Sequence, residues 1–337
     1  MVVEFDVSLV EELQLVDADG RLCGRAPDDD DATPFAGTVA DACVHLAHRR
    51  RRARLAATER GLSTMAAGIH PAGHASLHPP RQAERPNGTI DTGTTDLFDM
   101  RIRIAMPSRE MAVRAMCGSA PYLPALLALA GSSPFHRGED TGYTSFRTVR
   151  RDVFPRVGPP LPVATADEFD RLERLFMGPG GPGERPLAWD VQPVVGGATL
   201  EFRLFDANPS LELVAFLAAS ARALAALFAD KPPALPSGLE IQVLRENRWR
   251  AARYGLVAPF LRPDARPVTW PASAAATALA ERLEPVADRL GDGDHIRQLP
   301  TLLEAGTAAD AMRAAYSEAG SVRAVVDWLV RTTGGDA

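Results

Sequence analysis

The stretch DLFDMRIRIAMPS, residues 96–108, places two arginines in a segment that otherwise resembles a buried strand. Apolar residues alternate with Arg101 and Arg103, and a period of two is typical of a β-strand. The alternation predicts that both guanidinium groups lie on one face of the strand, with Ile102 and Ile104 on the other. Because two neighbouring cations are costly in an apolar core, we expect the arginines to face a polar site.

A second segment with the same alternation follows at residues 199–206, TLEFRLFD. Its period of two predicts Glu201, Arg203 and Phe205 on one face and apolar residues on the other. The pair Gly196-Gly197 separates it from a preceding strand, LAWDVQPVV, as in a β-hairpin. An apolar back and a charged front are typical of an open sheet that presents a site. Taken alone, however, Glu201 and Arg203 have a simpler interpretation as a solvent-facing cross-strand pair.

The rest of the chain contains few strands and many helices. Apolar spacing predicts a helix over residues 38–61, and a composition rich in Pro and Gly predicts an irregular segment over 63–95. The C-terminal half, 210–333, is predicted to be mostly helical. Strands early and mid-chain with helices late favour an α+β fold with an antiparallel sheet over a doubly wound βαβ protein. We expect residues 1–337 to form one domain of this class.

The charge balance limits the possible partners. The chain has 337 residues and a formal net charge of -6 at pH 7, so as a whole it does not attract polyanions. The run His48–Arg52 is short and is predicted to lie on the solvent face of an amphipathic helix. We therefore expect no nucleic-acid partner. The single lysine, Lys231, excludes a Walker A loop, so any chemistry on anions must be done by arginine.

The cysteines and the N-terminus bear on where the protein acts. Cys23, Cys43 and Cys117 are isolated in sequence and indicate neither a disulfide framework nor a zinc ribbon. The N-terminal residues are acidic where a signal peptide would be basic, and no apolar run approaches the ~18 residues of a membrane span. The sequence therefore predicts a cytoplasmic protein without a membrane segment.

Several stretches recur in a recognisable order. SSPF at 132–135 precedes DTGYTSFR at 140–147, and WD at 189–190 precedes TLEFRLFD. Later come NRWRAARYGL at 247–256 and a C-terminal segment ending in VVDWLVRTT. In this order the stretches resemble the type 2 glutamate-cysteine ligases, also called carboxylate-amine ligases. The resemblance covers most of residues 100–333.

That resemblance implies a fold and a reaction. The fold would be glutamine-synthetase-like, with an antiparallel sheet that forms an open bowl and helices behind it. The reaction would use ATP and magnesium to phosphorylate a glutamate-like carboxylate, after which an amine attacks the acyl phosphate. Small-molecule carboxylate and amine substrates and a homodimeric assembly are implied as well.

The resemblance also implies roles for individual residues. Glu201, and Glu12 on the first strand, would be metal ligands. Arg203 and Arg147 are the predicted catalytic residues: Arg203 would contact phosphate, and Arg147 a substrate carboxylate or the nucleotide. The remaining candidates are expected to bind the cofactor and are Trp189, Asp190, Trp249, Arg250 and Arg253.

The sequence departs from the family pattern where metal would bind. The family's first strand carries Gly-x-Glu-x-Glu, and this chain has Ser8, Val10 and Glu12. The family's His-x-His strand aligns with Arg101 and Arg103, which adds two cations. We therefore expect fewer magnesium ions than in relatives, or none, and we expect both arginines to contact the nucleotide.

Three functions remain compatible with the sequence. A divergent ATP-dependent ligase is supported by the retained arginines and Glu201. A catalytically inactive pseudoenzyme or non-catalytic subunit that binds an anion is supported by the lost metal ligands. A reaction without ATP, such as amide hydrolysis or acyl transfer, is the third.

Overall fold

The computed structural model describes residues 5–27, 33–73, 96–154, 156–177, 187–230, 235–262 and 269–335. The strands in this part of the chain are β1 (Val7–Glu11), β2 (Gln14–Val16), β3 (Leu22–Arg25), β4 (Ser63–Met65), β5 (Asp99–Ala105), β6 (Phe135–His136), β7 (Glu139–Asp140), β8 (Val157–Gly158), β9 (Ala188–Trp189), β10 (Val191–Pro193), β11 (Thr199–Asp206), β12 (Pro259–Phe260) and β13 (Trp270–Pro271). The α-helices are α1 (Val39–Thr58), α2 (Arg109–Ser119), α3 (Leu123–Ala130), α4 (Phe146–Arg151), α5 (Ala166–Met177), α6 (Leu211–Ala229), α7 (Gly238–Tyr254), α8 (Ala272–Leu290), α9 (Gly293–Arg297), α10 (Leu299–Ala305), α11 (Ala308–Ala319) and α12 (Val322–Gly334).

Four strands form a central antiparallel sheet in the order β1-β5-β11-β10. Within it, Arg103 lies opposite Ser8 on β1 and opposite Glu201 on β11. Residues directly opposite each other in an antiparallel pair project to the same side of the sheet. We call the side that carries Arg101, Arg103 and Glu201 the arginine face. The predicted α+β fold with an antiparallel sheet is confirmed.

The other side of the sheet is the hydrophobic core. Met100, Ile102 and Ile104 alternate with the arginines of β5 and are fully buried. They pack in one cluster with apolar residues of α1, α2 and α6. Full burial of one such side chain is worth roughly 1.5–3 kcal/mol, which fixes which side of β5 faces inward. The predicted alternation of Arg101 and Arg103 with these residues is therefore confirmed.

A β-bulge interrupts the alternation on β11. Phe202 lies opposite Ile102, but Phe205 lies opposite Met100, so two residues of β11 face one residue of β5. The extra residue reverses the sides of all residues that follow it. Phe205 is consequently buried in the core, and the prediction that it shares a face with Glu201 is wrong.

Helix α1 confirms the predicted helix and corrects one detail of it. The Thr38 side chain caps its N-terminus by accepting from the Asp41 N–H, at 3.1 Å. Within the arginine run, Arg51 and Arg52 are exposed, but Arg50 is only 5% exposed. The guanidinium of Arg50 forms two hydrogen bonds to Glu11, at 2.7 and 2.8 Å. The prediction that the whole run faces solvent is therefore wrong at this position.

A smaller sheet lies at the end of β1 and determines where Glu12 points. Its order is β3-β2-β4, and its residues Val16 and Met65 pack against Leu329 of α12. The chain leaves β1 at Glu11 and enters β2 at Gln14, so Glu12 occupies the break between the two sheets. Of the predicted irregular segment 63–95, residues 63–65 form β4, and residues 74–95 lie outside the described residues.

Two helical stretches are long and apolar enough to cross a membrane by length and composition. They are Arg109–Ala130, which is 83% buried within the protein, and Leu211–Ala229, which is 72% buried. The prediction that no apolar run approaches the length of a membrane span is therefore wrong. Both stretches contribute to the central core behind the sheet, where an apolar helix is buried on most sides.

Candidate functional site

The arginine face carries an ion-pair network centred on Glu201. Arg103 Nε lies 2.7 Å from Glu201 Oε2, and Arg203 Nε lies 3.3 Å from Glu201 Oε1. The Glu201 side chain is 7% exposed, whereas Arg103 and Arg203 are 20% and 25% exposed. The carboxylate therefore lies at the floor of the site, and the two guanidinium groups lie at the surface that a ligand would meet.

Glu12 and Asp99 form a second carboxylate group on the same side of the sheet. Their backbones are joined by a hydrogen bond from the Glu12 N–H to the Asp99 carbonyl at 3.0 Å, and the Asp99 N–H donates to Glu12 Oε2 at 3.0 Å. Arg101 contacts both: its Nε lies 3.2 Å from Asp99 Oδ1 and its Nη2 lies 3.6 Å from Glu12 Oε1. Arg25 forms an ion pair with Glu12 as well.

Beneath these groups, Arg147 joins Asp99 to Asp206. Its Nη2 lies 3.2 Å from Asp99 Oδ2 and its Nη1 lies 3.5 Å from Asp206 Oδ1, and the Arg147 side chain is 1% exposed. The same guanidinium donates to the carbonyls of Arg203 and Leu204, both at 3.3 Å. Arg147 thereby holds the bulged part of β11 in place.

The carboxyl groups differ in acidity because their surroundings differ. Burial and the neighbouring Asp99 charge raise the pKa of Glu12 to about 7, although Arg25 and Arg101 oppose the shift. Asp99 is buried too, but the guanidinium groups of Arg147, Arg101 and Arg203 outweigh desolvation and lower its pKa to about 2. Adjacent carboxyls thus differ in their protonation at neutral pH.

The raised pKa of Glu12 makes the stability of the protein depend on pH. Because the folded state binds this proton more tightly than the unfolded chain, the free energy of unfolding falls as the pH rises from 4.5 towards about 7. The loss attributable to Glu12 is on the order of 3 kcal/mol. We expect Glu12→Gln to be more stable than the wild type at pH 8 and about equally stable at pH 4. Denaturant titrations at both pH values measure this difference, and an equal difference at both would contradict it.

Every oxygen of the four carboxylates in the site takes part in a hydrogen bond or an ion pair with the protein. In addition to the contacts above, Asp206 Oδ2 accepts from the Ser132 N–H at 3.0 Å and the Ser133 hydroxyl at 2.7 Å. Magnesium is usually bound by one or two carboxylates together with water and substrate phosphates, and carboxylate oxygens that already pair with arginine are poorly placed to bind it. Two unit charges about 4 Å apart interact by about 4 kcal/mol at an effective dielectric of 20, and a dication doubles the repulsion from each arginine.

The site therefore does not fit the magnesium ion that the family resemblance implies. Among the described residues, no group of three or more His, Cys, Asp or Glu side chains is arranged to hold a metal ion. Glu12 and Glu201, the predicted metal ligands, lie on the same side of the sheet but are each bound by two arginines.

Two of the predicted cofactor-binding residues lie behind the site. Trp189 is 3% exposed and packs edge-on against Phe169 in the core. Asp190 binds Arg248 of α7, which also lies 2.7 Å from Asp152. The roles predicted for Trp189 and Asp190 stay predictions. In this structure both residues make buried packing contacts next to β10.

The predicted candidates on α7 face outward. Arg250 donates to Glu246 at 2.7 Å and to the Pro259 carbonyl at 2.6 Å. Arg253 lies over the ring of Tyr143, 4.7 Å from its centroid, and donates to the Thr141 carbonyl at 3.2 Å. Trp249 is 43% exposed. Arg253 thus fastens α7 to the loop before α4, and Arg250 fastens it to β12. The other candidates are brought together on the sheet: Arg101, Arg103, Arg147, Arg203, Glu12 and Glu201.

Several site residues were missed by the sequence reasoning. Asp99 and Asp206 lie opposite each other on β5 and β11. Asp99 precedes the arginines by two and four positions, so its face could have been read from the same period of two. The side on which Asp206 lies could not be predicted in this way, because the bulge that turns it towards the site cannot be recognised from the alternation of apolar and polar residues. Arg25 reaches the site from β3, which required knowledge of the tertiary fold.

Comparison with known proteins shows the family to which the sequence of this chain is similar. The model of glutamate-cysteine ligase family 2 matches residues 32–327. A relative from Rubrobacter xylanophilus, with the provisional name glutamate--cysteine ligase 2-3, is 33% identical over 89% of this chain and 83% of its own length. A relative from Chloroflexus aggregans, provisionally named glutamate--cysteine ligase 2, is 31% identical over 88% of this chain and 78% of its own length.

Solved structures share the fold at low sequence identity. A glutamate-cysteine ligase from Francisella tularensis in complex with AMP superposes with a TM-score of 0.68 at 11% identity, covering 98% of this chain and 89% of that one. A bifunctional glutathione synthetase from Pasteurella multocida gives 0.64 at 15% identity, and the chain, covered to 99%, spans 52% of its length. The glutamine-synthetase-like fold implied by the sequence is thus confirmed. By its sequence match and its sheet, the chain belongs to glutamate-cysteine ligase family 2.

Proposed function

We propose that this protein is an ATP-dependent carboxylate-amine ligase that acts on a glutamate-like carboxylate. A carboxylate oxygen of the substrate attacks the γ-phosphorus of ATP, the bond to ADP breaks, and an acyl phosphate forms. The nitrogen of an amine then attacks the acyl carbon, phosphate leaves, and the amine gives up a proton. Membership of the family supports ligation, and the AMP bound to the Francisella tularensis ligase supports an adenine nucleotide as co-substrate.

The observation that carries the proposal is the set of arginines on one side of an open sheet. Arg103 and Arg203 lie on neighbouring strands beside Glu201, Arg101 lies two residues before Arg103 on β5, and all three side chains are partly exposed. Planar guanidinium groups match phosphate and carboxylate oxygens in geometry and charge. Phosphoryl transfer depends mainly on positioning and on neutralising charge over the transferring oxygens. The role of the arginine face would be to supply that neutralisation.

A non-catalytic anion-binding protein is the second candidate, and one observation favours it. The carboxylates at the floor of the site are fully engaged by protein donors, which closes the positions where a metal would assist the reaction. Such a protein would keep the arginine face and bind an anion without turnover.

Turnover separates the two candidates. We expect ADP release from ATP in the presence of glutamate and an amine drawn from a panel that includes cysteine, ammonia and simple alkylamines. We expect Arg203→Met to lower kcat/KM by about 10²-fold, because it removes a charged donor at the transferring group. Arg114→Met, on the outer side of α2, serves as the matched control and should keep wild-type turnover. Nucleotide binding without ADP release across the panel would favour the non-catalytic candidate.

Two further expectations from the sequence stay predictions. We propose a homodimeric assembly and a cytoplasmic location. Light scattering of the purified chain measures the first, and a monomer across the accessible concentration range would contradict it.

A further inference from the structure

We propose that the arginine face binds the phosphate chain of the nucleotide directly through Arg101, Arg103 and Arg203, without a divalent cation between protein and phosphate. The inference rests on the proposed function for the identity of the ligand as a nucleotide. The direct recognition of a polyphosphate anion is independent of whether the protein turns it over.

The balance of charges in the site supports an anionic ligand. Among the described residues, five guanidinium groups form ion pairs with four carboxylates: Arg25, Arg101, Arg103, Arg147 and Arg203 with Glu12, Asp99, Glu201 and Asp206. The cluster therefore has a positive excess when its acids are ionised. An excess of one sign of charge on a surface concentrates ligands of the other sign.

The exposed fraction of each arginine side chain distinguishes arginines that stabilise the fold from arginines that a ligand can contact. Arg147 is 1% exposed and contacts Asp99, Asp206 and backbone carbonyls. Arg103 and Arg203 are 20% and 25% exposed, and Arg101 is 11% exposed. Each exposed guanidinium has several N–H donors, of which the contacts to the carboxylates use a part. The more exposed arginines are therefore the ones that a phosphate anion can contact.

The guanidinium of Arg103 also blocks the oxygen that a metal would need. It holds Glu201 Oε2 at 2.7 Å while Arg203 holds Oε1 at 3.3 Å. A dication at this carboxylate would have to displace one arginine and remain beside the other. A polyphosphate anion would instead be attracted by both guanidinium groups, because the Glu201 carboxylate that they share lies deeper in the site.

Isothermal titration of the full chain with tripolyphosphate tests the proposal. In buffer with EDTA we expect saturable binding, and we expect affinity to be unchanged or lower when excess magnesium is added, because magnesium then competes with arginine for the same oxygens. A tenfold or larger gain in affinity on adding magnesium would overturn the proposal. Titration with Mn²⁺ alone, followed by electron paramagnetic resonance, should show no micromolar site, and the presence of such a site would overturn it as well.

Variants connect the binding to the arginine face. Arg103→Met should weaken tripolyphosphate binding in EDTA at least tenfold, and Arg103→Lys should weaken it less, because it keeps the charge but loses the planar fork. Arg114→Met on α2 is the matched control and should bind as the wild type does. Thermal unfolding of each variant shows whether it is folded, and a folded Arg103→Met with wild-type affinity would overturn the proposal.

The outcomes distinguish this proposal from the proposed function. Binding of tripolyphosphate in EDTA without ADP release would contradict ligation and leave direct phosphate recognition standing. ADP release that requires magnesium, together with no tripolyphosphate binding in EDTA, would contradict direct recognition and leave ligation standing.

Discussion

Replacing Arg147 by methionine is expected to lower the free energy of unfolding by about 3–5 kcal/mol. Methionine fills much of the space of the arginine stem but leaves two buried acids, Asp99 and Asp206, without their shared cation. It also removes one donor from each of two backbone carbonyls at the β11 bulge, those of Arg203 and Leu204. Denaturant titration at neutral pH measures the loss.

The control for this prediction is a surface ion pair. Arg114 and Glu110 are 31% and 37% exposed, four residues apart on α2, so Arg114→Met should change stability by less than about 1 kcal/mol. If Arg147→Met lost as little as the control but abolished turnover, Arg147 would act on the substrate and the structural role assigned to it here would be wrong. This comparison also tests the catalytic role that the sequence predicted for Arg147.

Replacing Arg248 by methionine is expected to cost a similar amount, about 3–5 kcal/mol. Arg248 is 7% exposed and binds Asp190, which is 2% exposed, with a further contact at 2.7 Å to Asp152. Burial disfavours the charge of Arg248, yet both carboxylates more than offset it and raise its pKa. Removing the cation would leave the buried Asp190 carboxylate without its partner on α7.

The second acid of this cluster supplies the matched control. Asp152 is 43% exposed and can be hydrated without its partner, so Asp152→Asn should lose about 1 kcal/mol or less. A loss in Arg248→Met no larger than in Asp152→Asn would show that Asp190 finds another partner or a proton. Thermal and denaturant unfolding of both variants make the comparison.

Much of the fold was predictable because burial imposes simple periods on the sequence. The period of two in β5 set Arg101 and Arg103 apart from Ile102 and Ile104, and apolar spacing over residues 38–61 correctly predicted α1. The predictions that were wrong concern residues whose positions depend on tertiary contacts. Arg50 was predicted to face water from its run of like charges, but Glu11 on the first strand of the sheet draws it into the interior.

The site was predictable in part for the same reason. Glu201, Arg203 and Arg103 could be placed together because facing strands share their sides. Asp206 and the structural role of Arg147 could not, since both depend on the local irregularity of β11. The residues predicted on α7 were chosen for their chemical type, which does not reveal whether a surface arginine faces a ligand or holds a loop, as Arg253 does at Thr141.

The irregularity at Arg203 and Leu204 lets a single strand serve two purposes along its length. On the N-terminal side of the irregularity an odd position, Glu201, faces the site, whereas on the C-terminal side an even position, Asp206, does so and anchors the floor. Pairing the two strands one-to-one without the bulge would return β11 to strict alternation, and it would turn Phe205 towards the arginine face and Asp206 towards the hydrophobic core. The way this short segment pairs with β5, more than the identity of any one of its residues, therefore determines which side chains reach the arginine face.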